Sequence, residues 1–264
     1  MRSAPARLVE LAEAHGIEVN SPLTGGHTGA VCAGVRAGRP VVCKLTLDTS
    51  FALREMYSLH ALSRSGRVPD VVVAEVHEGF LATSRVLPGT AGLVGDLSAV
   101  ADLARRLHDV TPPVGATTVE ALLVDRAEAL AQHCQTLGLD PSLLHAAREP
   151  LDPGAAHLVL CHGDFGPANL LDGPAGELWA IDPECIVGPA AFDLAGYAVR
   201  HGSDTAIAVL DELADLYGAS RTEARAWLGW MTFDEAVRHT VYGLPIARAE
   251  WALAVQMGVL PPRS

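Results

Sequence analysis

The chain has a single lysine, Lys44, although it contains 19 lysine and arginine residues in total. A coding bias toward arginine explains why lysine is scarce. It does not explain why one lysine remains between Cys43 and Leu45 in an apolar run. The ammonium of lysine is a compact charge on a flexible stem, whereas the guanidinium of arginine is planar and larger. We therefore expect Lys44 to do something that arginine cannot do.

Long apolar runs are also missing, since no uninterrupted stretch approaches the ~18 residues that span a bilayer. The first residues, "MRSAPARLVELAEAHG", lack the apolar region and the cleavage site of a secretory signal. These absences predict a cytoplasmic protein. The formal net charge of −12 disfavours nucleic acid and anionic membranes as partners and favours a cationic small molecule.

Cysteine pairs of the CxxC type are absent, and the total of five cysteines is odd. This pattern disfavours both a disulfide framework and a zinc site. We expect reduced, mostly buried thiols at the five positions, which are Cys32, Cys43, Cys134, Cys161 and Cys185.

The first third of the chain has the patterns of a small sheet with helices. Residues 5–15 have apolar positions at helical spacing, and residues 17–47 read as three strands joined by turns, with "AGRP" as a hairpin turn. A helix is predicted over 49–63, and two further strands surround residues 77–79. The segment "LPGTAG" then breaks the pattern.

The remainder is mostly helical in pattern. Two helical segments follow the break, and two short strands flank a loop in "LVLCHGDFGPANLL" and "ELWAIDPECIVG". Helical spacing then continues from residue 192 to about residue 258.

Polar residues in a fixed order interrupt the apolar runs of "CHGDFGPANLLDGPAGELWAIDPE". Asp164 is followed by Asn169 and then by Asp182. A carboxylate can accept a proton from a hydroxyl group, while an amide oxygen and a second carboxylate can bind Mg²⁺. Phosphoryl transfer requires these groups. The alternative is structural, because Gly-Pro bends and Asx residues also stabilise loops.

A glycine turn, "LTGGHTGAV", precedes the strand of Lys44 and can bring backbone N–H groups to phosphate oxygens. It lacks the GKS/T ending of a P-loop and a following helix, so a Walker or Rossmann site fits poorly. Glu55 lies eleven residues after Lys44 on the predicted helix, where its carboxylate could orient the ammonium. Together these features predict a nucleotide site.

The glycine loop, Lys44, Glu55, "HGDFGPAN" and "AIDPE" together resemble the aminoglycoside phosphotransferases, which are relatives of the protein kinases. The "W-x-IDP" strand and "VG…FD" are most similar to the branch that contains streptomycin 6-kinase and hydroxyurea phosphotransferase. The resemblance implies an α+β, two-lobed protein-kinase-like fold. Residues 1–88 would form a small nucleotide-binding lobe with an antiparallel sheet and one main helix, and residues 89–264 a larger, mostly helical lobe for catalysis and substrate binding.

The resemblance also implies roles for single residues. Asp164 would be the catalytic base or would align the acceptor hydroxyl, and Asn169 and Asp182 would hold Mg²⁺ ions. Lys44, held by Glu55, would bind the phosphates of ATP or GTP. Residues covering the phosphates would be Gly25, Gly26, His27 and Thr28, and those beside the base would be Arg85, Val86 and Leu87. Structural support would come from His162 and Asp193. The "HTG" at the loop tip departs from the Ser or Asn common in the family.

The acceptor site would lie near the C-terminal helices. Candidates for binding ammonium groups of the acceptor are Glu184, Asp234, Glu235 and Glu250, with solvated surface charge as the alternative. Four aromatic residues on these helices are expected in the core or along the pocket wall, namely Trp227, Trp230, Tyr242 and Trp251.

The function predicted is the ATP- or GTP-dependent phosphorylation of a hydroxyl on a small cationic molecule, such as an aminoglycoside or another basic antibiotic, which would confer resistance. One alternative is a metabolic kinase for choline, homoserine, methylthioribose or a glycated amine. The other is a nucleotide-binding pseudokinase that only sequesters its ligand. No obligate protein partner is implied.

Overall fold

The structure is a computed structural model that describes residues 3–23, 29–90, 96–151 and 157–262. The chain forms two compact units. The first comprises Met1–Gly92 and Leu170–Glu184, and the second comprises Leu93–Asn169 and Cys185–Ser264.

The first unit contains a five-stranded antiparallel sheet. Its helices and strands before residue 90 are α1 (Ala4–Ala14), β1 (Ile17–Pro22), β2 (Gly29–Arg36), β3 (Arg39–Thr46), α2 (Thr49–Leu62), β4 (Val71–Glu75) and β5 (Phe80–Ser84). The strands lie in the order β1-β2-β3-β5-β4. The two helices and five strands predicted for this part of the chain are present. The turn from β2 to β3 has positive φ angles at Ala37 and Gly38, 49° and 77°, which suit the twist of a two-residue hairpin.

Alternation along β3 places Lys44 away from the core of this unit. Val41, Cys43 and Leu45 are buried together with Leu8 of α1 in one apolar cluster. Successive side chains of a strand point to opposite faces, so Lys44 lies on the other face. Burial of a Val or Leu side chain contributes about 1.5–3 kcal/mol, and this fixes which face Lys44 occupies.

The second unit is mainly helical. Its elements are α3 (Leu97–His108), α4 (Val119–Thr136), α5 (Ser142–Arg148), β6 (Leu158–Cys161), β9 (Ile186–Pro189), α6 (Ala190–His201), α7 (Ala206–Tyr217), α8 (Arg221–Val241) and α9 (Ala247–Gln256). Strand β6 pairs with β9 in an antiparallel ladder. The architecture is therefore α+β, as predicted, with a sheet-containing unit and a helical unit.

Leu170–Glu184 forms a segment of the first unit, whereas the prediction placed every residue after 88 in the second lobe. It contains two further strands, β7 (Leu170–Asp172) and β8 (Leu178–Ala180), which pair with each other. The amide of Asp172 donates to the carbonyl of Thr90 at 2.9 Å, and that of Ala180 donates to the carbonyl of Arg67 at 2.8 Å. These long-range hydrogen bonds explain the difference, because local patterns do not show them.

All five cysteines are free and buried, as predicted. Among the helices of the four described ranges, none combines the length and the apolar composition needed to span a bilayer.

Candidate functional site

Lys44 lies between two carboxylates of the first unit. Its Nζ donates to Oε1 of Glu55 on α2 at 2.7 Å, and it also contacts Oδ1 of Asp182. Helix α2 begins after Asp48, whose carboxylate accepts the amide of Ser50 at 2.9 Å and so caps the N-terminus. The predicted pair of Lys44 and Glu55 is present. Asp182 also contacts Lys44, because the segment Leu170–Glu184 belongs to the same unit.

The charges in this cluster are mutually dependent. Burial alone disfavours the ammonium, but the carboxylates of Glu55 and Asp182 outweigh it and raise the pKa of Lys44. Burial also raises the pKa of Glu55, because the attraction of Lys44 only partly offsets it and the charge of Asp182 adds to it. Lys44 is therefore firmly protonated, while two carboxylates share one cation.

Asp182 follows β8 with a φ of 58°. Aspartate tolerates this left-handed region better than most residues, because its short side chain can form local hydrogen bonds. Its side chain is 45% exposed, so the carboxylate is accessible to solvent.

The other predicted nucleotide-binding residues are only partly described. The glycine-loop residues Gly25, Gly26, His27 and Thr28 lie outside the described residues. Arg85–Leu87 follow the end of β5. The amide of Arg85 donates to the carbonyl of Pro40 at 3.1 Å, Val86 is buried and Leu87 is exposed.

Asp164 and Asn169 are hydrogen-bonded to each other in the loop after β6. The amide Nδ2 of Asn169 donates to Oδ2 of Asp164 at 2.8 Å and to the Asp164 carbonyl at 2.9 Å. The backbone N–H of Asp164 in turn donates to Nδ1 of His162 at 3.3 Å. The Asp164 carboxylate is thus held within its loop while its side chain remains 40% exposed.

Asp193, in the first turn of α6, organises the start of this loop. Its buried carboxylate accepts the backbone N–H of His162 at 2.6 Å and that of Gly163 at 3.0 Å. Burial alone raises the pKa of Asp193, but the hydrogen bond from His108 and the charges of His108 and His162 outweigh it and leave the pKa lowered. The side chain is therefore an ionised acceptor for the loop backbone.

His108 was missed in the sequence. Its Nε2 lies 3.0 Å from Oδ2 of Asp193, and its Nδ1 lies 3.0 Å from the hydroxyl of Tyr217. The available signal was its place in the last turn of α3, on the face that also buries Leu107 and Ala104. A histidine on a buried face needs polar partners, and here they are Asp193 and Tyr217.

Arg200 was also missed. Its Nη2 lies 3.1 Å from Oδ1 of Asp164 and 3.7 Å from Oε1 of Glu235. The available signal was its spacing from Asp193, because seven residues are close to two helical turns and place both side chains on one face of α6. A cation therefore lies directly beside the predicted catalytic carboxylate.

The four acidic candidates for the acceptor site fall into two groups. Glu184 is exposed and belongs to the first unit. The other three are buried in the second unit, which overturns the alternative of solvated surface charge for Asp234, Glu235 and Glu250.

Each buried acid of this group has a basic partner. Asp234 accepts from Arg126 at 2.8 Å, Glu250 lies 2.7 Å from Nδ1 of His239, and Glu235 faces Arg200. Burying a charge without a partner is costly, which explains the pairing. These carboxylates are consequently occupied by the protein's own basic groups.

The four aromatic residues of the C-terminal helices differ in their exposure to solvent. Trp227, Trp230 and Trp251 are buried, as expected for core residues. Tyr242 is 62% exposed and meets the ring of His133 edge-on, with 5.7 Å between the ring centroids. It is the aromatic residue of this set that is accessible to a ligand.

Each unit contains a side chain with an oxygen atom of the kind that binds magnesium. Asn169 uses its Nδ2 toward Asp164, which leaves its carbonyl oxygen as the atom able to bind a cation. Asp182 supplies a partly exposed carboxylate. Mg²⁺ prefers such oxygen ligands and usually keeps several waters.

The fold and these residues define a kinase-like protein. Solved structures with this fold include the choline kinase LicA from Streptococcus pneumoniae, with a TM-score of 0.72, 12% identity and 96% of each chain covered. An aminoglycoside phosphotransferase in ternary complex with AMP-PNP and hygromycin B has a TM-score of 0.71 and 17% identity, covering 98% of this chain and 100% of that one. A macrolide 2'-phosphotransferase from Brachybacterium faecium has a TM-score of 0.61 and 18% identity, with 99% of each chain covered.

The sequence identifies the family more narrowly than the fold. Residues 22–228 match the model of the phosphotransferase enzyme family, so the chain belongs to that family. It is an enzyme of the class that transfers phosphoryl groups to hydroxyl groups of small molecules. Comparison with curated proteins finds no match.

Proposed function

We propose that this protein transfers the γ-phosphoryl group of ATP or GTP to a hydroxyl group of a small cationic molecule. The observation that carries the proposal is the Lys44 ammonium held by Glu55 and Asp182, since a fixed, protonated lysine is the group that binds nucleotide phosphates in kinases. In this proposal the single lysine of the chain binds the phosphates of the nucleotide.

The donor half of the reaction is assigned to the first unit. Lys44 binds phosphate oxygens with its ammonium, and Glu55 keeps the lysine stem extended toward them. We assign the covering of the phosphates to Gly25, Gly26, His27 and Thr28, which lie outside the described residues. Asp182 of this unit and Asn169 of the second unit are the residues that would hold Mg²⁺, which would supply positive charge to the phosphate oxygens.

The acceptor half is assigned to the loop around Asp164. Its carboxylate accepts the proton of the acceptor hydroxyl or aligns that hydroxyl for attack on the γ-phosphorus. A positioned base of this kind contributes about 10²–10⁴-fold to the rate. Because Asn169 and Asp193 fix the loop, the base is oriented before the substrate binds.

The cationic nature of the acceptor is supported by the net charge of −12 and by the related complex that contains hygromycin B. Three buried acids add negative electrostatic potential to the second unit but are already paired with basic groups, namely Asp234, Glu235 and Glu250. They therefore support a cationic acceptor only indirectly. We assign direct contact with ammonium groups of the acceptor to the exposed Glu184, and a stacking contact to Tyr242.

Resistance to an aminoglycoside or other basic antibiotic is the biological role we propose. A second candidate is a metabolic choline-type kinase, which is favoured by the structural similarity to choline kinases at TM-scores of 0.72 and 0.68. Both candidates share the donor half and differ only in the acceptor.

Turnover of a mixed acceptor panel tests the proposal. The protein is incubated with MgATP or MgGTP and with aminoglycosides, macrolides, basic peptide antibiotics, choline, homoserine and methylthioribose. Mass spectrometry should show one acceptor gaining about 80 Da, the mass of one phosphoryl group. Asp164→Asn serves as the inactive control. Absence of product with every acceptor, in a sample that binds nucleotide, contradicts the proposed function.

A further inference from the structure

Helix α6 holds the loop of Asp164 at both ends. Asp193 in its first turn accepts the N–H groups of His162 and Gly163. Two turns later, Arg200 reaches the carbonyl of Phe165 with Nη1 at 3.5 Å and the Asp164 carboxylate with Nη2 at 3.1 Å. Helix α6 therefore contacts the loop twice. Asp193 accepts hydrogen bonds from loop N–H groups, and Arg200 contacts a loop carbonyl and the Asp164 carboxylate.

Two glycines make room for the Arg200 side chain. A Cβ atom on Gly166 would lie 2.8 Å from Cδ of Arg200, and one on Gly196 would lie 3.0 Å from its Nη1. Contacts of this length exclude an unshifted arginine. A methyl group at either position would therefore require the Arg200 side chain to shift from its present path to Asp164.

Glu235 supports the guanidinium from α8. It is buried, and its Oε1 lies 3.7 Å from Nη2 of Arg200. Nη1 of Arg200 also donates to the carbonyl of Gly196 at 3.2 Å. Several fixed acceptors therefore hold one end of a flexible side chain, and this defines its direction toward Asp164.

We propose that Arg200 is a positioning residue for phosphoryl transfer. Its guanidinium holds Oδ1 of Asp164, while Asn169 holds Oδ2 at 2.8 Å, so that the carboxylate is restrained at both oxygens. The inference rests on the proposed role of Asp164 in the reaction. Misplacing a catalytic group by about 1 Å can cost about 10²-fold in rate, which is why a second restraint matters.

Steady-state kinetics test this role. Arg200→Met retains the apolar stem and removes the charge, and it should lower kcat by about tenfold or more while nucleotide KM changes less than about twofold. Arg200→Lys should retain more activity than Arg200→Met. Gly166→Ala should lower kcat in the same direction, because its methyl group displaces the Arg200 stem. Arg225→Met is the matched control, since Nε and Nη2 of Arg225 donate to the two carboxylate oxygens of Asp211 on the surface of the same unit.

Chemical rescue separates positioning from folding. Guanidinium ion at sub-denaturing concentration should increase kcat of Arg200→Ala, whereas equal concentrations of sodium chloride should not. Unchanged kcat in Arg200→Met, or a loss of kcat matched by Arg225→Met, overturns the proposal.

A double-mutant cycle tests the contact without requiring turnover. Urea unfolding midpoints are measured for Arg200→Met, Asp164→Asn and the double variant. If the two residues are coupled, the urea midpoint of the double variant should lie close to that of the less stable single variant. If the two single variants lower the midpoint additively, the proposal is overturned. If the wild-type protein yields no product but the cycle is non-additive, the proposed function fails and the link between Arg200 and Asp164 stands.

Discussion

The Lys44 ammonium donates a hydrogen bond of 2.7 Å to Glu55, which follows it by eleven residues. These eleven residues comprise the end of β3, a short connection and the first two helical turns of α2. The pair is shielded on both sides, with each side chain 21% exposed. A charge pair in this environment is screened less by salt than a surface pair and is sensitive to the shape of both partners.

Lys44→Arg should impair the use of nucleotide. The guanidinium keeps the charge, but its planar fork does not fit the space between Glu55 and Asp182 as a compact ammonium does. We expect a nucleotide KM raised by about tenfold, or an equivalent loss of kcat/KM. Initial rates at varied MgATP measure this effect. The control Arg39→Lys exchanges the same residue types at an exposed position of the same strand. Unaltered kcat and KM for the Lys44 variant would show that the lysine has no special role.

Asp164→Ala should lower kcat by about 10²-fold or more, because a positioned base is removed. Nucleotide affinity should remain nearly unchanged, since Lys44, Glu55 and Asp182 are intact. Coupled ADP-release assays and nucleotide titration measure the two quantities separately. Asp102→Ala, at a largely exposed carboxylate on α3, provides the comparison. Turnover near the wild-type rate would remove Asp164 from the mechanism.

Asp193→Ala should lower the free energy of unfolding by about 3–5 kcal/mol, since it leaves buried donors without an acceptor. Because the folded-state pKa of Asp193 is lowered, its stabilisation is present above the ordinary value of 3.8 and is lost as pH falls through the folded value. Urea unfolding at neutral pH and below pH 3.8 should therefore show a large difference from wild type that shrinks in acid. Asp215→Ala removes an exposed ion pair and should lower stability far less than Asp193→Ala does. Equal losses in the two variants would contradict the buried role.

Glu235→Gln should change how stability depends on pH. Burial raises the pKa of Glu235, an effect that the charge of Arg200 only partly offsets. The folded state therefore binds the proton more tightly than the unfolded state, and wild-type stability should rise relative to Glu235→Gln as pH falls from 8 toward the ordinary value of 4.5. Thermal unfolding of both proteins across this range measures the difference. A constant or opposite difference would show that the pKa of Glu235 is not raised in the folded protein.

Much of the first unit could be predicted from local patterns. Alternation along β3, the helical spacing after Thr49 and the hairpin turn at residues 37–38 are encoded within a few residues of each other. The pairing of Lys44 with Glu55 followed from these elements. Asp193 was found in a different way, from the resemblance to a family.

The remainder depends on contacts that local patterns do not contain. Glu235 was predicted either to contact the acceptor or to be a surface charge, because its partner, Arg200, is 35 residues away and belongs to another helix. Arg200 itself looked ordinary, since arginine is the common basic residue of this chain. The glycines that admit its side chain, Gly166 and Gly196, are read in sequence as a turn and as a weak helix position.

The return of Leu170–Glu184 to the first unit limits how this protein can be divided. A gene fragment that ends at Gly92 encodes every strand of the five-stranded sheet but omits Asp182, so Lys44 would retain Glu55 and lose its other carboxylate. The unit that contains the five-stranded sheet is therefore not contiguous in the sequence. Chimeras that exchange this unit between relatives need three crossovers, one near residue 92 and one on each side of residues 170–184.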